Sequence, residues 1–79
     1  MQETKEQMLR IATIMGMHAL TMKCIAFATT PNELYLIVDH MMTFAAARNY
    51  PMDSNVPRAI MGLAIDIAQM EGMTLKEAR

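Results

Sequence analysis

Two histidines, one cysteine and the acids near them are the residues of this sequence best suited to chemistry. His18 stands three residues after Met15 and four before Met22. On one helix face that spacing offers an imidazole between two thioethers, soft ligands of the kind that hold Cu(I). The chain carries 11 methionines, however, so such proximity arises readily without a metal. A core or interface stripe with one hydrogen-bonded histidine is the simpler reading, and no metal or other cofactor is expected. Cys24 falls on another face and adds nothing to the set.

Asp39 and His40 are sequence neighbours. In a helix they project about 100° apart, so they cannot hydrogen-bond as an acid–base dyad. Asp39 and Thr43, four residues apart, could meet on a solvated face. Cys24 and His40 become a nucleophile and base only if two helices bring them together, and no local signature supports the pair. No acid, base and nucleophile converge, so no catalysis is expected.

The cations and aromatics Lys23, Tyr35, Arg48, Tyr50 and Arg58 are scattered along the chain. In an oligomer they could converge on an anionic, stackable ligand such as a nucleotide. Singly, each reads as a surface residue. Arg48 falls on the side of Ile37, Met41 and Phe44 near a helix end, where it can snorkel past apolar surface and meet the helix dipole. Arg48, Tyr50, Met52 and Arg58 surround the one real loop, and loops on a rigid scaffold often carry contacts. These four are the expected partner- or ligand-binding residues. The sequence has no glycine-rich phosphate loop, no Cys/His zinc spacing and no basic–aromatic strand pattern.

Composition narrows the setting for these residues. The 79 residues allow one domain, spanning 1–79. Seven basic and eight acidic residues leave a net charge of −1. That balance argues against a nucleic-acid binder, an acidic tail or a polybasic arm. Hydrophobic residues reach 53%, enough apolar surface to exclude disorder. A single cysteine rules out an internal disulfide framework and fits a reduced, cytoplasmic setting. The start is polar and acidic at Glu3 and Glu6, unlike a signal peptide. Residues 11–30 are apolar enough to suggest a membrane span, but they contain His18 and Lys23. A central Lys costs about 2.5–3.5 kcal/mol on insertion scales, so no span is expected.

Periodicity predicts three helices, over about 3–28, 31–49 and 56–71, with a short tail over 73–79. In the first, Met8, Ile11, Met15, Ala19, Met22 and Ile25 share a stripe that includes His18, and Gly16 costs helix stability unless close packing repays it. A second apolar line, Leu9, Leu20 and Phe27, lies nearly opposite. Thr30-Pro31-Asn32-Glu33 is a capping box with proline at the first helical position. Leu34, Ile37, Val38, Met41, Phe44 and Ala45 form the inward face of the second helix. Asp53, Ser54 and Asn55 offer N-caps to the third, Pro57 suits its first turn, and Gly72 suits its C′ position. Thr74-Leu75-Lys76-Glu77 is a further capping box with no room for a lasting helix.

These elements predict an all-α three-helix bundle, an antiparallel hairpin crossed by a third helix. The two-sided first helix needs a second copy of the chain to cover Leu9, Leu20 and Phe27, so a homo-oligomer is expected. The function expected is a small non-enzymatic binding protein that acts as inhibitor or adaptor by occupying a partner protein's surface. The alternative is a small-ligand protein that sequesters an anionic nucleotide-type molecule between subunits. Neither nucleic acid nor membrane is an expected partner.

Overall fold

The computed structural model describes residues 1–70 of the 79. They form four α-helices: α1 over Gln2–Met15, α2 over Ala19–Phe27, α3 over Pro31–Ala47 and α4 over Asn55–Met70. Among the described residues all regular structure is α-helical, as the periodicity predicts, but the expected first helix is two helices. The predicted end of the last helix at Glu71 and Gly72, and the tail over 73–79, lie outside the described residues.

Gly16 makes the break. Its φ of 72° and ψ of 35° are left-handed, a conformation glycine adopts without steric cost. The Gly16 amide donates to the Thr13 carbonyl at 3.0 Å, and the Met17 amide to the Ala12 carbonyl at 3.0 Å. This pair of bonds is the Schellman motif, which uses two of the orphan carbonyls at a helix end. Met17 and Ala12 are both buried, which supplies the apolar contact the motif favours. A Cβ at Gly16 would meet nothing within 4 Å, so the residue serves backbone geometry, not close packing. His18 then starts α2. Its backbone is extended at ψ 148°, and its Nδ1 accepts from the Leu20 amide at 3.0 Å. The imidazole is an exposed N-cap and not part of a buried stripe. The stripe itself divides: Met8, Met15 and Ile25 are buried, whereas Ala19 is exposed.

A lysine closes the other end of α2. Lys5 Nζ donates to the Ala26 carbonyl at 2.7 Å and the Ala28 carbonyl at 3.0 Å. An ammonium is favourable at a helix C-terminus, where unpaired carbonyls carry partial negative charge.

The α3 cap is close to its sequence reading. Thr30 Oγ1 accepts from the Glu33 amide at 3.2 Å, and Pro31 opens the helix. The return arm of the box differs. Glu33 Oε1 accepts from the Thr29 hydroxyl at 3.0 Å and the Thr30 hydroxyl at 3.1 Å. Replacing Thr30 by Ala is expected to cost about 0.5–2 kcal/mol. Denaturant titration should show a lower midpoint with unchanged m, and an unmoved midpoint would disprove the cap.

The two hydroxyls also affect acid behaviour. Donation from Thr29 first, then Thr30, holds the Glu33 carboxyl below its ordinary value of 4.5, against a weaker opposing effect of burial. The unfolded chain therefore protonates Glu33 at higher pH than the folded chain. Its stabilisation is complete above about pH 4.5 and fades as pH falls through the lower folded value. Glu33 is exposed, so the expected effect is small. Glu33→Gln should flatten the acid limb of a stability-against-pH curve; an identical limb in both proteins would refute this.

At the far end of α3 the Schellman geometry recurs with asparagine. Asn49 has φ 63°, its amide donates to the Ala46 carbonyl at 3.0 Å, and the Tyr50 amide donates to the Ala45 carbonyl at 3.1 Å. Half-buried Tyr50 packs against the core as the apolar partner of this turn. Pro57 falls in the first turn of α4 and is buried.

The core joins Met8, Ala12 and Met15 of α1 to Leu34, Val38, Met41 and Ala45 of α3 and to Ile60, Leu63 and Ile67 of α4. Of the face expected for the second helix, Leu34, Val38, Met41 and Ala45 are buried and Ile37 and Phe44 half-buried. α3 and α4 share the largest seam, and α1 touches the other three helices. α2 touches only α1 and α3, and Ile25 is its one buried side chain.

Candidate functional site

Three surface grooves follow three helix seams. Between α1 and α4 one of about 310 Å³ is lined in part by Gln7, Arg10 and Asp66. Between α3 and α4 a smaller one of about 150 Å³ includes Tyr35, Asp39 and Met61. The third, about 270 Å³, lies between α2 and α3 and is lined by Leu20, Thr21, Cys24, Leu36, Ile37 and His40. It is the groove whose walls carry no Asp, Glu, Lys or Arg.

Local geometry explains this third groove. Gly16 and His18 restart the chain as a short helix, and the link over residues 28–30 turns it back along α3. On α2, Leu20, Cys24 and Phe27 recur at i, i+4 and i+7, which is one helix face. On α3, Leu36 and His40 are four apart on its outer side. Leu20 is 64% exposed and Leu36 63%, so large apolar side chains of the groove stand in water, and Phe27 on α2 is 76% exposed.

The fold brings Cys24 and His40 to this one groove, the condition set by their helices. Cys24 is exposed. None of the lining residues is a carboxylate or amide that could orient the imidazole, so the third member of a nucleophile–base–orienter set is missing from the groove. Its strongest chemical property is apolar surface beside one thiol and one imidazole. Among the described residues, no three or more His, Cys, Asp and Glu side chains gather as a metal site. The helix break also separates exposed His18 from buried Met15.

Asp39 and Thr43 meet through the backbone. The Thr43 hydroxyl donates to the Asp39 carbonyl at 3.1 Å, so no carboxylate–hydroxyl pair is formed.

The four expected binding residues lie along the α3–α4 link and the first turn of α4, and none of them lines the apolar groove. The Arg48 guanidinium lies over the Phe44 ring, 4.6 Å from its centroid. That contact is a cation–π pair and covers an otherwise half-exposed aromatic face. Tyr50 is half-buried, while Met52 and Arg58 are exposed. Tyr35 lines the α3–α4 groove about 20 Å along α3 from Arg48, at 1.5 Å per residue, and Lys23 is on α2. The basic and aromatic residues therefore do not converge within one chain. Leu9 is half-buried against the core, whereas Leu20 and Phe27 project from α2. The expected line of three is divided by the turn at Gly16. Leu36, on the outer side of α3, is the apolar residue that faces Leu20 across the two helices lining the groove.

No family model matches the chain, and no curated protein or solved structure matches it. Among the described residues, no helix is long and apolar enough to cross a membrane.

Proposed function

We propose that this protein is a small, non-enzymatic helical binding protein that works as a homo-oligomer and occupies a partner protein's surface as inhibitor or adaptor. The observation that carries this reading is the pair of exposed side chains Leu20 and Leu36 lining a groove without Asp, Glu, Lys or Arg, with exposed Phe27 on the same helix as Leu20. A contiguous apolar patch on a small protein marks an interaction surface, because leaving it in water forgoes burial energy. The methionine content suits adaptable recognition, since thioether side chains repack at low cost. The loop residues Arg48, Tyr50, Met52 and Arg58 are the proposed partner contacts.

Light scattering of the purified chain at micromolar concentration is expected to give a multiple of the 8.9 kDa monomer mass. Leu20→Glu should yield a monomer with unchanged circular dichroism, because Leu20 lies outside the core and a charge there would be desolvated at the interface. A monomeric wild-type protein would end the oligomer reading. Met52→Ala combined with Arg58→Ala should abolish partner capture without unfolding. Absorbance at 260 nm from a co-purifying molecule would favour the small anionic ligand instead, and the chain has no tryptophan to mask it.

A further inference from the structure

Both histidines of the chain sit beside α2, and one of them holds its first turn. The Leu20 amide is one of the donors at the start of α2 that have no partner inside the helix. It donates at 3.0 Å to His18 Nδ1, which accepts only while that nitrogen is unprotonated. The His18 carbonyl accepts from the Thr21 amide at 3.0 Å, so the helix starts at this residue. His18 is exposed, and a proton reaches the ring from water without the chain opening.

We infer that His18 is a pH-sensitive cap whose protonation in mild acid releases α2 from the bundle while α3 and α4 stay packed. An imidazolium carries an N–H at both nitrogens and has no lone pair for the Leu20 amide. It also places positive charge at the positive end of the helix dipole. Both effects have the same sign. The cap supports α2 in full where the imidazole is neutral. That support is lost as pH falls through the range in which histidines titrate, between about pH 5 and 8.

The surroundings offer the imidazolium no compensating anion. No Asp or Glu occurs between Glu6 and Glu33, so α2 and both of its links lack a carboxylate. The other titratable groups of α2 are Lys23 and the Cys24 thiol. From α1, Lys5 is bonded at the opposite end of α2, with Glu3 and Glu6 within a turn of it, and Arg10 lines the α1–α4 groove. From α3, Glu33 is held by Thr29 and Thr30 just beyond that same end. Tyr35 and Asp39 line the α3–α4 groove, and Arg48 lies over Phe44. His40 lines the α2–α3 groove with Leu20 and Thr21, and in acid it adds a second cation on this side.

The helix is poised to respond. It has nine residues and one buried side chain, and a helix that short depends on its caps and its packing. Leu20, Thr21 and Cys24 form the α2 wall of the apolar groove, so the same proton decides whether that wall is present. The inference rests on hydrogen-bond geometry and is independent of what the groove binds.

Hydrogen exchange of the full chain at about pH 7.5 and about pH 5 tests it, a window that spans the histidine range. Each amide rate is divided by that of an unstructured peptide at the same pH. Glu33 stays largely ionised throughout, because its carboxyl is held below 4.5. Protection of α2 amides should fall about fivefold in acid, the usual weight of an N-cap, with α3 and α4 unchanged. His18→Asn supplies a capping acceptor that does not titrate, so its α2 protection should be high at both pH values. His18→Ala should be low at both, and His40→Gln should keep the wild-type step. Equal α2 protection at the two pH values in the wild type overturns the proposal. So does a step that survives in His18→Asn, one that vanishes in His40→Gln, or one shared equally by α3 and α4.

Discussion

Ile25→Ala should loosen α2 ahead of the rest of the bundle, at a cost of about 2–5 kcal/mol. Ile25 is the one buried side chain of that nine-residue helix. α2 rests only on α1 and α3, with no contact to α4. Removing the anchor leaves a cavity and takes away the one fully buried apolar contact of the helix, leaving half-buried Met22. A helix of this length cannot persist unaided in water. Stabilities of about 0.05–0.15 kcal/mol per residue are typical, so the loss is a large share of the total. Hydrogen exchange should show α2 amides losing protection first, with α3 and α4 amides following only at global unfolding. If α2 amides in the variant exchange no faster than those of α3, Ile25 is not the anchor. Lys5 supplies a further tie through the Ala26 and Ala28 carbonyls, at the end of α2 away from His18, and half-buried Met22 packs against the core.

Gly16→Val should cost more than about 1–2 kcal/mol, the usual penalty for an L-residue held in the left-handed region, because β-branching worsens the clash. The open space around Gly16 isolates the cause, since an added Cβ meets no neighbour within 4 Å. The effect is backbone strain at φ 72° and not overpacking. Gly16→Ala should cost the smaller amount. A D-alanine introduced by chemical synthesis, for which positive φ is natural, should not destabilise and should raise the denaturant midpoint by restricting the unfolded chain. If the L- and D-alanine proteins melt alike, the turn does not depend on the left-handed residue.

These two residues also show where sequence reasoning reached its limit. The apolar spacing from Met8 through Met15 to Ile25 stays in phase across Gly16, so periodicity alone gives one long helix. What reveals the turn is a glycine followed by an apolar residue that returns to the core, and then a residue able to cap. Met17 and His18 fill those roles, but histidine is an uncommon N-cap and gives little warning. The α3 start was legible because Thr30, Pro31 and Glu33 act within one turn of helix. The inward face of α3 was legible because burial follows the helical repeat. The meeting of Cys24 with His40 was not, because it depends on the rotation of α2 against α3, which their tertiary packing sets. The left-handed Asn49 could have been suspected, since asparagine is the usual substitute for glycine there and Pro51 follows shortly after.

Among the described methionines, a buried group and an exposed group differ in their fate under peroxide, with Met22 and Met42 between them. Met8, Met15, Met17 and Met41 are packed into the core, where an oxidant meets them only after the chain opens. Met1, Met52, Met61 and Met70 are exposed. Sulfoxide formation turns a flexible apolar side chain into a polar one, which a packed interior tolerates poorly and a wet surface tolerates well. The outer thioethers therefore react first at little structural expense and spare the fold, while sulfoxide at Met8 or Met41 records that a molecule has already come apart.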